Sequence, residues 1–310
     1  MTAPEQRPLD TLEPASAAAG VAQPTVAEVG VSPLRLWTPR FLRGGGLGMW
    51  IGLLIMVIMV GAAVFAPLLT SYDPAQPDPS AALQPFSGKH LLGTDNLGRD
   101  VWSRLLYGAR QDLAIATIAV LVPFVIGVIV GTISGYVGGW LDAILMRIAD
   151  IVSAFPFYVL VITLVFVLGS GKTSIFIAIS IVSWVAYARI VRAEALVLRD
   201  REFIQACRAG GIGGPRIVFR HLIPNVVTQA IVYAMSDIVM NIGVIVTLSY
   251  FGLGITPPTP DWGRMMSDGQ QFLAAGYYSL TLVPAAATVL SSLGLSLLGD
   301  GLAHRLRINR

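Results

Sequence analysis

The sequence is poor in the residues that form disulfides, metal centres and charged surfaces. Its 310 residues include one cysteine and three histidines, and only 13% are charged. The single cysteine, Cys207, excludes an internal disulfide, and the cysteine and histidines do not have the spacing of metal ligands. With 55% hydrophobic residues, the chain is too apolar for an ordinary soluble domain. These deficits predict a polytopic membrane protein without a metal site.

Motifs of two catalytic classes are also missing. The segment Gly169 to Thr173 reads Gly-Ser-Gly-Lys-Thr, but a phosphate loop needs a glycine five residues before Gly171, where Phe166 stands. An intramembrane enzyme would need a convergent nucleophile or metal set. The sequence has no Ser–His pair, no His-Glu-x-x-His and no aspartates paired at matching depths. We therefore predict no catalytic residue and no bound cofactor in this chain.

Apolar segments long enough to cross a bilayer recur along the sequence. Backbone groups left unpaired in lipid exclude isolated strands, so the spans should be helices and the fold an all-α membrane protein. The net charge of +3 could suggest a nucleic-acid partner, but the basic residues lie in loops beside the apolar segments, so none is expected. The six predicted spans cover about 47–66, 113–137, 141–168, 174–188, 226–255 and 279–298.

The arginines predict the orientation of these spans. Between Arg189 and Asn225 there are seven Arg against three acidic residues, which indicates a cytoplasmic loop and cytoplasmic N- and C-termini. The predicted organisation begins with a disordered tail over 1–34 and an N-terminal transmembrane helix over 35–66. An extracytoplasmic segment with an interfacial helix follows over 67–111. A five-span core over 112–302, which includes a cytoplasmic loop at 194–224, and a cytoplasmic tail over 303–310 complete the chain.

The long polar stretch from Arg199 to Asn225 has its own internal pattern. Apolar residues up to Ala209 fall near one side of a helix. Paired glycines then permit a sharp turn, Pro215 suits the first position of a second helix, and Pro224 is expected to limit it. A short helix in such a loop suits a lever, because its side chains can fill a groove in a partner protein.

This stretch resembles the loop by which the permeases of ABC importers dock onto their ATPase. The family pattern is Glu-Ala-Ala, three residues, Gly, nine residues, Ile-x-Leu-Pro; Gln stands here in place of the leading Glu, and the spacing is intact. The Arg-His-x-x-Pro-Asn ending resembles the dipeptide, oligopeptide and nickel branch. The ATPase-coupling residues that the resemblance implies are Gln205, Ala206, Cys207, Arg208, Ala209, Gly211, Arg216, Arg220, His221 and Pro224.

Three further blocks resemble the same branch: His90 to Arg110, Asp142 to Pro156, and the proline-rich loop from Leu248 to Met266. The resemblance implies a type I ABC importer permease fold in the bacterial cytoplasmic membrane. It implies a second homologous permease, two ABC ATPase subunits that bind ATP and Mg, and an extracytoplasmic solute-binding protein. The expected cargo is di- or oligopeptides, with nickel chelates, glutathione or another small solute as alternatives. An intramembrane enzyme and a passive channel remain alternatives of other classes.

Ionisable residues inside the spans are candidate functional residues. Asp237 and Asn241 lie one helical turn apart in the fifth span, where they could line the translocation pathway or form a hydrogen bond between helices. For Arg147 and Asp150 in the third span, a structural ion pair is favoured over a substrate contact. For Arg99 and Asp100, a solvated helix start or a local ion pair is likewise favoured over a substrate contact.

Overall fold

In the computed structural model, the structure describes residues 46–308, and the predicted tail over 1–34 lies outside that range. Within the described residues, strand-type pairing is limited to one isolated bridge between Thr94 and Asp100, which confirms the all-α prediction. The helices are α1 Gly46–Val64, α2 Ala66–Leu69, α3 Val101–Val137, α4 Gly139–Ser153, α5 Phe157–Leu168, α6 Lys172–Leu198, α7 Glu202–Ala209, α8 Gly214–Ile217, α9 Ile223–Tyr250, α10 Trp262–Gln270 and α11 Ser279–Ile308.

The third predicted span is broken. Five helices are long and apolar enough to cross a bilayer, and α4 with α5 makes a sixth crossing if this pair is one span. The two helices meet at an angle of 82°, so the predicted span over 141–168 consists of two helices joined at a bend. Pro156 explains the break, because proline has no amide hydrogen to donate and disfavours helical backbone at the residue before it.

The second span begins earlier than the sequence predicts. We expected an interfacial helix after Gly98 and a separate span from residue 113, but α3 is one helix of 37 residues. The carboxylate of Asp100 caps it by accepting a hydrogen bond from the amide of Ser103 at 2.7 Å. Pro123 lies inside α3 without ending it. The polar start of α3 and its apolar remainder therefore form one continuous helix.

A glycine strip brings α3 and α6 close together, as its four-residue spacing predicts. A Cβ atom on Gly127 would lie 2.3 Å from Cβ of Tyr187, and one on Gly131 would lie 2.5 Å from the carbonyl oxygen of Ala188. Gly135 similarly meets Ala195. Because the contacts advance along both helices in the same order, α3 and α6 run parallel.

The chain connections define two ends of the helix bundle. The loop end contains residues 199–222 together with the C-terminal ends of α3 and α6. The cap end contains residues 70–100, α10 and the start of α3. The helix α11 returns from the cap end against α1, where Gly52 and Gly294 allow close contact. It continues to Ile308, ten residues past its predicted end at 298.

Buried charges hold the cap end together. Arg99 forms the predicted local ion pair: its Nε donates to Asp95 at 2.7 Å, and its Nη2 lies 3.4 Å from Asp268. Arg264 also donates to Asp268, at 2.9 Å. The sequence predicts a loop up to residue 266, but α10 begins at Trp262, after Asp261 caps it. This helix therefore belongs to a network that joins distant parts of the chain.

Candidate functional site

The predicted coupling residues lie on a helix, a turn and a second helix at the loop end. The first helix, α7, comprises eight residues, compared with the eleven expected from Arg199 to Ala209. Arg199 and Asp200 instead follow α6, where Arg199 also donates to the carbonyl of Gly135 at the end of α3 at 3.2 Å. The start of the loop is thereby attached to both long parallel helices.

The turn after α7 is a Schellman motif. The amide of Gly211 donates to the carbonyl of Arg208 at 3.0 Å, and the amide of Ile212 donates to the carbonyl of Cys207 at 3.0 Å. Gly211 has φ +77°, in the left-handed region that glycine adopts without a steric penalty. A Cβ atom at this position would meet no neighbour within 4 Å. The backbone conformation, and not lack of space, requires glycine here.

Pro224 does not end the second helix, contrary to the prediction. A π-helical segment over 218–222 joins α8 to α9, and together they form a helical stretch from Gly214 to Tyr250. The amide of Ile223 donates to the carbonyl of Val218, five residues back. Pro224 stands in the first turn of α9, where its missing amide hydrogen is tolerated. The loop is consequently continuous with the fifth span.

The inner face of the loop packs on the bundle through its own apolar cluster. Ile204 of α7 is fully buried together with Ile217 and Leu222 of the second helix. Ile133 and Tyr136 of α3 pack against this cluster. Burying such side chains stabilises the arrangement by about 1.5–3 kcal/mol each. Movement of α7 would therefore displace both α3 and the base of α9.

The outer face of the loop carries most of the predicted coupling residues. Arg208 also stacks above the ring of Tyr136, with 5.0 Å from its guanidinium carbon to the ring centroid. Phe203, which the sequence places on the apolar side, is 41% exposed. Cys207 and His221 are half-buried, and the exposed members are Gln205, Ala206, Arg208, Ala209, Gly211, Arg216, Arg220 and Pro224.

A second connection runs from α6 to α4. Asp142 accepts two hydrogen bonds from Arg192, at 2.5 Å from Nε and 2.6 Å from Nη2, and a third from the hydroxyl of Ser134. This bidentate geometry fixes both the distance and the orientation of the two helices. The sequence showed that both residues are charged, but it gave no sign that residues 50 positions apart would pair.

The predicted ion pair between Arg147 and Asp150 is replaced by another. Asp150 accepts from Nη2 of Arg189 on α6 at 2.9 Å, and no ion pair with Arg147 is formed among the described residues. The two residues are three positions apart in α4, with the base preceding the acid, which is the weaker order for a pair within one helix. Arg147 is exposed.

A cavity of about 510 Å³ opens beside the bend between α4 and α5. Its wall comes from the bend, from α6 and from α9, and it includes Tyr233 and Asp237 of α9. Asp237 is 5% exposed and accepts a hydrogen bond from the hydroxyl of Tyr187 at 2.8 Å. Both predicted roles of Asp237 are therefore compatible with the structure, because one carboxylate joins two helices and lines a cavity.

Asn241, unlike Asp237, does not line the cavity. It is fully buried, and its side-chain amide has no hydrogen-bond partner among the described residues. Tyr187 was not predicted as a functional residue. A hydroxyl within an apolar span was the only signal for it, and that signal does not identify a partner on another helix.

The described residues contain no group of three or more His, Cys, Asp or Glu side chains that could hold a metal ion.

Comparison with known proteins identifies related families over most of the chain. Residues 127–308 match the family described as "Binding-protein-dependent transport system inner membrane component", and residues 48–85 match the N-terminal TM domain of oligopeptide transport permease C. The first match alone covers more than half of the sequence.

Individual relatives are similar over nearly their full lengths. The oligopeptide transport system permease protein OppC of Bacillus subtilis is 38% identical over 96% of this chain and 97% of its own length. The dipeptide transport system permease protein DppC of Alkalihalophilus pseudofirmus is 38% identical over 83% of this chain and 84% of its own. The glutathione transport system permease protein GsiD of Escherichia coli O6:K15:H31 is 38% identical over 82% and 84%.

A solved structure supports the fold. A chain of the MetNI methionine ABC transporter, in an inward-facing conformation, matches with a TM-score of 0.52 at 21% identity, over 64% of this chain and 94% of the other. At this identity, the match shows a common permease fold, in agreement with the predicted fold class.

Proposed function

Because this chain belongs to the family of binding-protein-dependent transport system inner membrane components, we propose that it is the permease subunit that couples ATP hydrolysis by a partner to the import of peptides. Its apolar helices and its relatives make it a multi-pass protein of the bacterial inner membrane. We place the loop end in the cytoplasm, since seven Arg lie between Arg189 and Asn225.

The main support for this proposal is that α7 is buried on one side and exposed on the other. Its inner side chain Ile204 is fully buried against α3 and the second helix, while Gln205, Ala206 and Arg208 are exposed. A surface helix fixed on one side and open on the other can enter a groove of a partner and transmit the partner's motion. The exposed ring of Phe203 gives this surface an apolar contact.

The motion would pass into the spans along two connections. The apolar cluster around Ile204 joins α7 to α3 and to the π-helical base of α9. The ion pair of Arg192 with Asp142 joins α6 to α4. Rocking of these helices would open the bundle to alternate sides of the membrane, with ATP and Mg bound by the ATPases and not by this chain.

The proposed assembly contains this permease, a second homologous permease, two ABC ATPase subunits in the cytoplasm and a solute-binding protein outside. The cap end, with residues 70–100 and α10, would face that binding protein. It suits a docking platform, because the buried ion pair of Arg104 in α3 with Asp95, at 3.6 Å, fixes the segment over 70–100 to that long helix.

For the cargo we propose di- or oligopeptides. The relatives that transport dipeptides and oligopeptides support this assignment, and the relative for glutathione supports the alternative of a small peptide-like solute. Nickel chelates are the other alternative cargo for an importer of the same architecture. The cavity beside Asp237 is the proposed passage for the cargo.

The proposal is tested by purifying the tagged chain from its host in mild detergent and identifying its partners by mass spectrometry. We expect a second permease and ATPases with phosphate loops, and we expect ATP-driven peptide uptake after reconstitution with the binding protein. Conduction by the chain alone would instead support a passive channel. Turnover of a lipid or peptide bond by the chain alone would support an intramembrane enzyme.

A further inference from the structure

The cavity beside the α4–α5 bend has an unbalanced charge. Asp237 is nearly buried in its wall, and among the described residues no Arg, Lys or His lies within 4.0 Å of its carboxylate. Arg189 lines the same cavity, but it pairs with Asp150 at 2.9 Å. An ionised carboxylate without a counter-ion in a membrane span is costly, and the cost falls when a cation binds.

One oxygen of the Asp237 carboxylate is hydrogen-bonded within the protein, which leaves the other oxygen for a ligand. The hydroxyl of Tyr187 donates to Oδ2, and Tyr187 itself is fully buried and outside the cavity wall. No described residue donates a hydrogen bond to Oδ1. Tyr187 is fixed in turn by an edge contact with the ring of Tyr233, at 4.8 Å between centroids. The carboxylate is therefore pre-oriented.

Two neutral groups in the wall match a primary ammonium group. Ser183 is buried, lines the cavity, and its hydroxyl oxygen has no hydrogen-bond partner among the described residues. The ring of Tyr233 also lines the cavity, and aromatic faces attract cations. An ammonium group has three hydrogens to donate and no lone pair to accept with, so a carboxylate and a hydroxyl oxygen are suitable acceptors.

Apart from Ser153 and Arg189, the remainder of the wall is apolar, and the cavity is large enough for a small peptide. Val152, Phe157, Val182 and Met240 contribute to it, and the volume of about 510 Å³ falls in the range of small-molecule sites. From this geometry we infer that the cavity is a transient cargo site that recognises the free amino terminus of a peptide, with Asp237 as counter-ion. The inference rests on the proposed function and adds a selecting residue to it.

The test measures binding to the reconstituted importer without its binding protein, because that protein could select the amino terminus itself. The probes are alanyl-alanine and N-acetyl-alanyl-alanine, and binding is followed by saturation-transfer NMR on the complex in lipid nanodiscs. We expect acetylation to weaken binding by roughly tenfold or more, since it removes the positive charge. Equal binding of the two probes would overturn the inference.

Variants locate the site within the complex. Asp237→Asn should lower the affinity for alanyl-alanine to that of the acetylated probe, and Asp237→Glu should retain part of the difference. Ser183→Ala should weaken binding by a few-fold, whereas Ser291→Ala, which removes another buried hydroxyl without a partner, should leave it unchanged. An unchanged preference for the free amine in Asp237→Asn would contradict the assignment.

Uptake separates this inference from the function on which it rests. The same purified wild-type complex is placed in proteoliposomes, supplied with binding protein and ATP, and assayed for peptide uptake. ATP-driven uptake combined with equal binding of both probes would refute the amine site and leave the permease function standing. Absence of ATP-driven uptake from a complete, correctly assembled complex would refute both.

Discussion

Arg192 donates two hydrogen bonds to Asp142, at 2.5 and 2.6 Å, and thereby joins the C-terminal half of α6 to the first turn of α4. The loop that bears α7 follows directly after α6, and α4 leads to the bend beside the cavity. One ion pair thus connects the surface proposed for the ATPase to the helix pair proposed for the passage.

The first prediction concerns this ion pair. Asp142→Asn keeps the shape of the side chain but removes its charge, and it should weaken the connection by roughly 1.5–3 kcal/mol. We expect peptide uptake to fall several-fold while ATP hydrolysis continues. The measurement is the ratio of peptide imported to ATP hydrolysed in proteoliposomes.

The control for this ion pair is the exposed pair of Arg189 with Asp150. Asp150→Asn removes a pair whose side chains are 48% and 58% exposed, so it should change the ratio by much less. Equal effects of the two substitutions would mean that the Asp142 pair has no special role in coupling.

The second prediction concerns the turn after α7. Gly211→Ala forces a residue with a side chain into a left-handed conformation at about 1–2 kcal/mol, although there is space for the Cβ atom. The turn should loosen and uptake should fall, with the protein still in the membrane. Gly213→Ala is the matched control, since Gly213 has φ −64° and also has open space around it. Normal uptake by Gly211→Ala would contradict the proposed role of the turn.

The third prediction concerns helix packing. Gly131→Ala places a Cβ atom 2.5 Å from the carbonyl oxygen of Ala188, so α3 and α6 must separate. We expect a loss of roughly 1–3 kcal/mol in stability, seen as a lower unfolding temperature of the purified protein. In Gly61→Ala the new Cβ atom meets nothing within 4 Å, and this helical substitution should not destabilise the protein. A similar loss in both variants would show that the close approach is not the cause.

The fourth prediction concerns pH. Burial raises the pKa of the Asp261 carboxyl above its ordinary value, against the opposing effect of the hydrogen bond from the amide of Arg264. The folded protein therefore holds this proton more tightly than the unfolded chain does. The resulting contribution to stability is complete below the ordinary pKa of an aspartate and is lost as the pH rises through the raised value.

Asp261→Asn tests this dependence, because asparagine keeps an oxygen that can accept from the amide of Arg264 and does not titrate. The stability difference between the variant and the wild type should grow in favour of the variant as pH rises from about 4 to 8. Unfolding temperatures across that range provide the measurement. A constant difference would show that Asp261 does not titrate there.

The sequence predicted features that depend on local or periodic patterns. The glycine strip on α3, the apolar spans and the glycine turn at Gly211 all follow from spacing or from backbone freedom, and the structure contains each of them. The coupling role of the loop remains a prediction, because its resemblance to a family motif identifies residues without showing a partner.

Features that depend on tertiary contacts were missed. Pro156 produces a bend of 82°, whereas Pro123 lies within an unbroken helix, and the residue type alone does not separate the two outcomes. Asp150 forms an ion pair with Arg189 on α6 and not with Arg147 of its own helix. Pro224 does not end the helix, because a π-helical segment precedes it and leaves it in the first turn of α9, and the proline alone does not reveal that segment.

The central claim is that the outer face of α7 contacts an ATPase. The sole cysteine permits a direct test: in a Cys207→Ser background, Ala206→Cys introduces one thiol on the exposed face, and a benzophenone maleimide on that thiol is photolysed in the assembled complex. We expect an adduct with a protein that contains a phosphate loop, in a yield that changes when ATP is added. The same label at Ala82→Cys, on the exposed cap end, should give no such adduct. Labelling of lipid or of this chain alone at position 206, in a complex shown to retain its ATPase, would mean that α7 does not contact the ATPase.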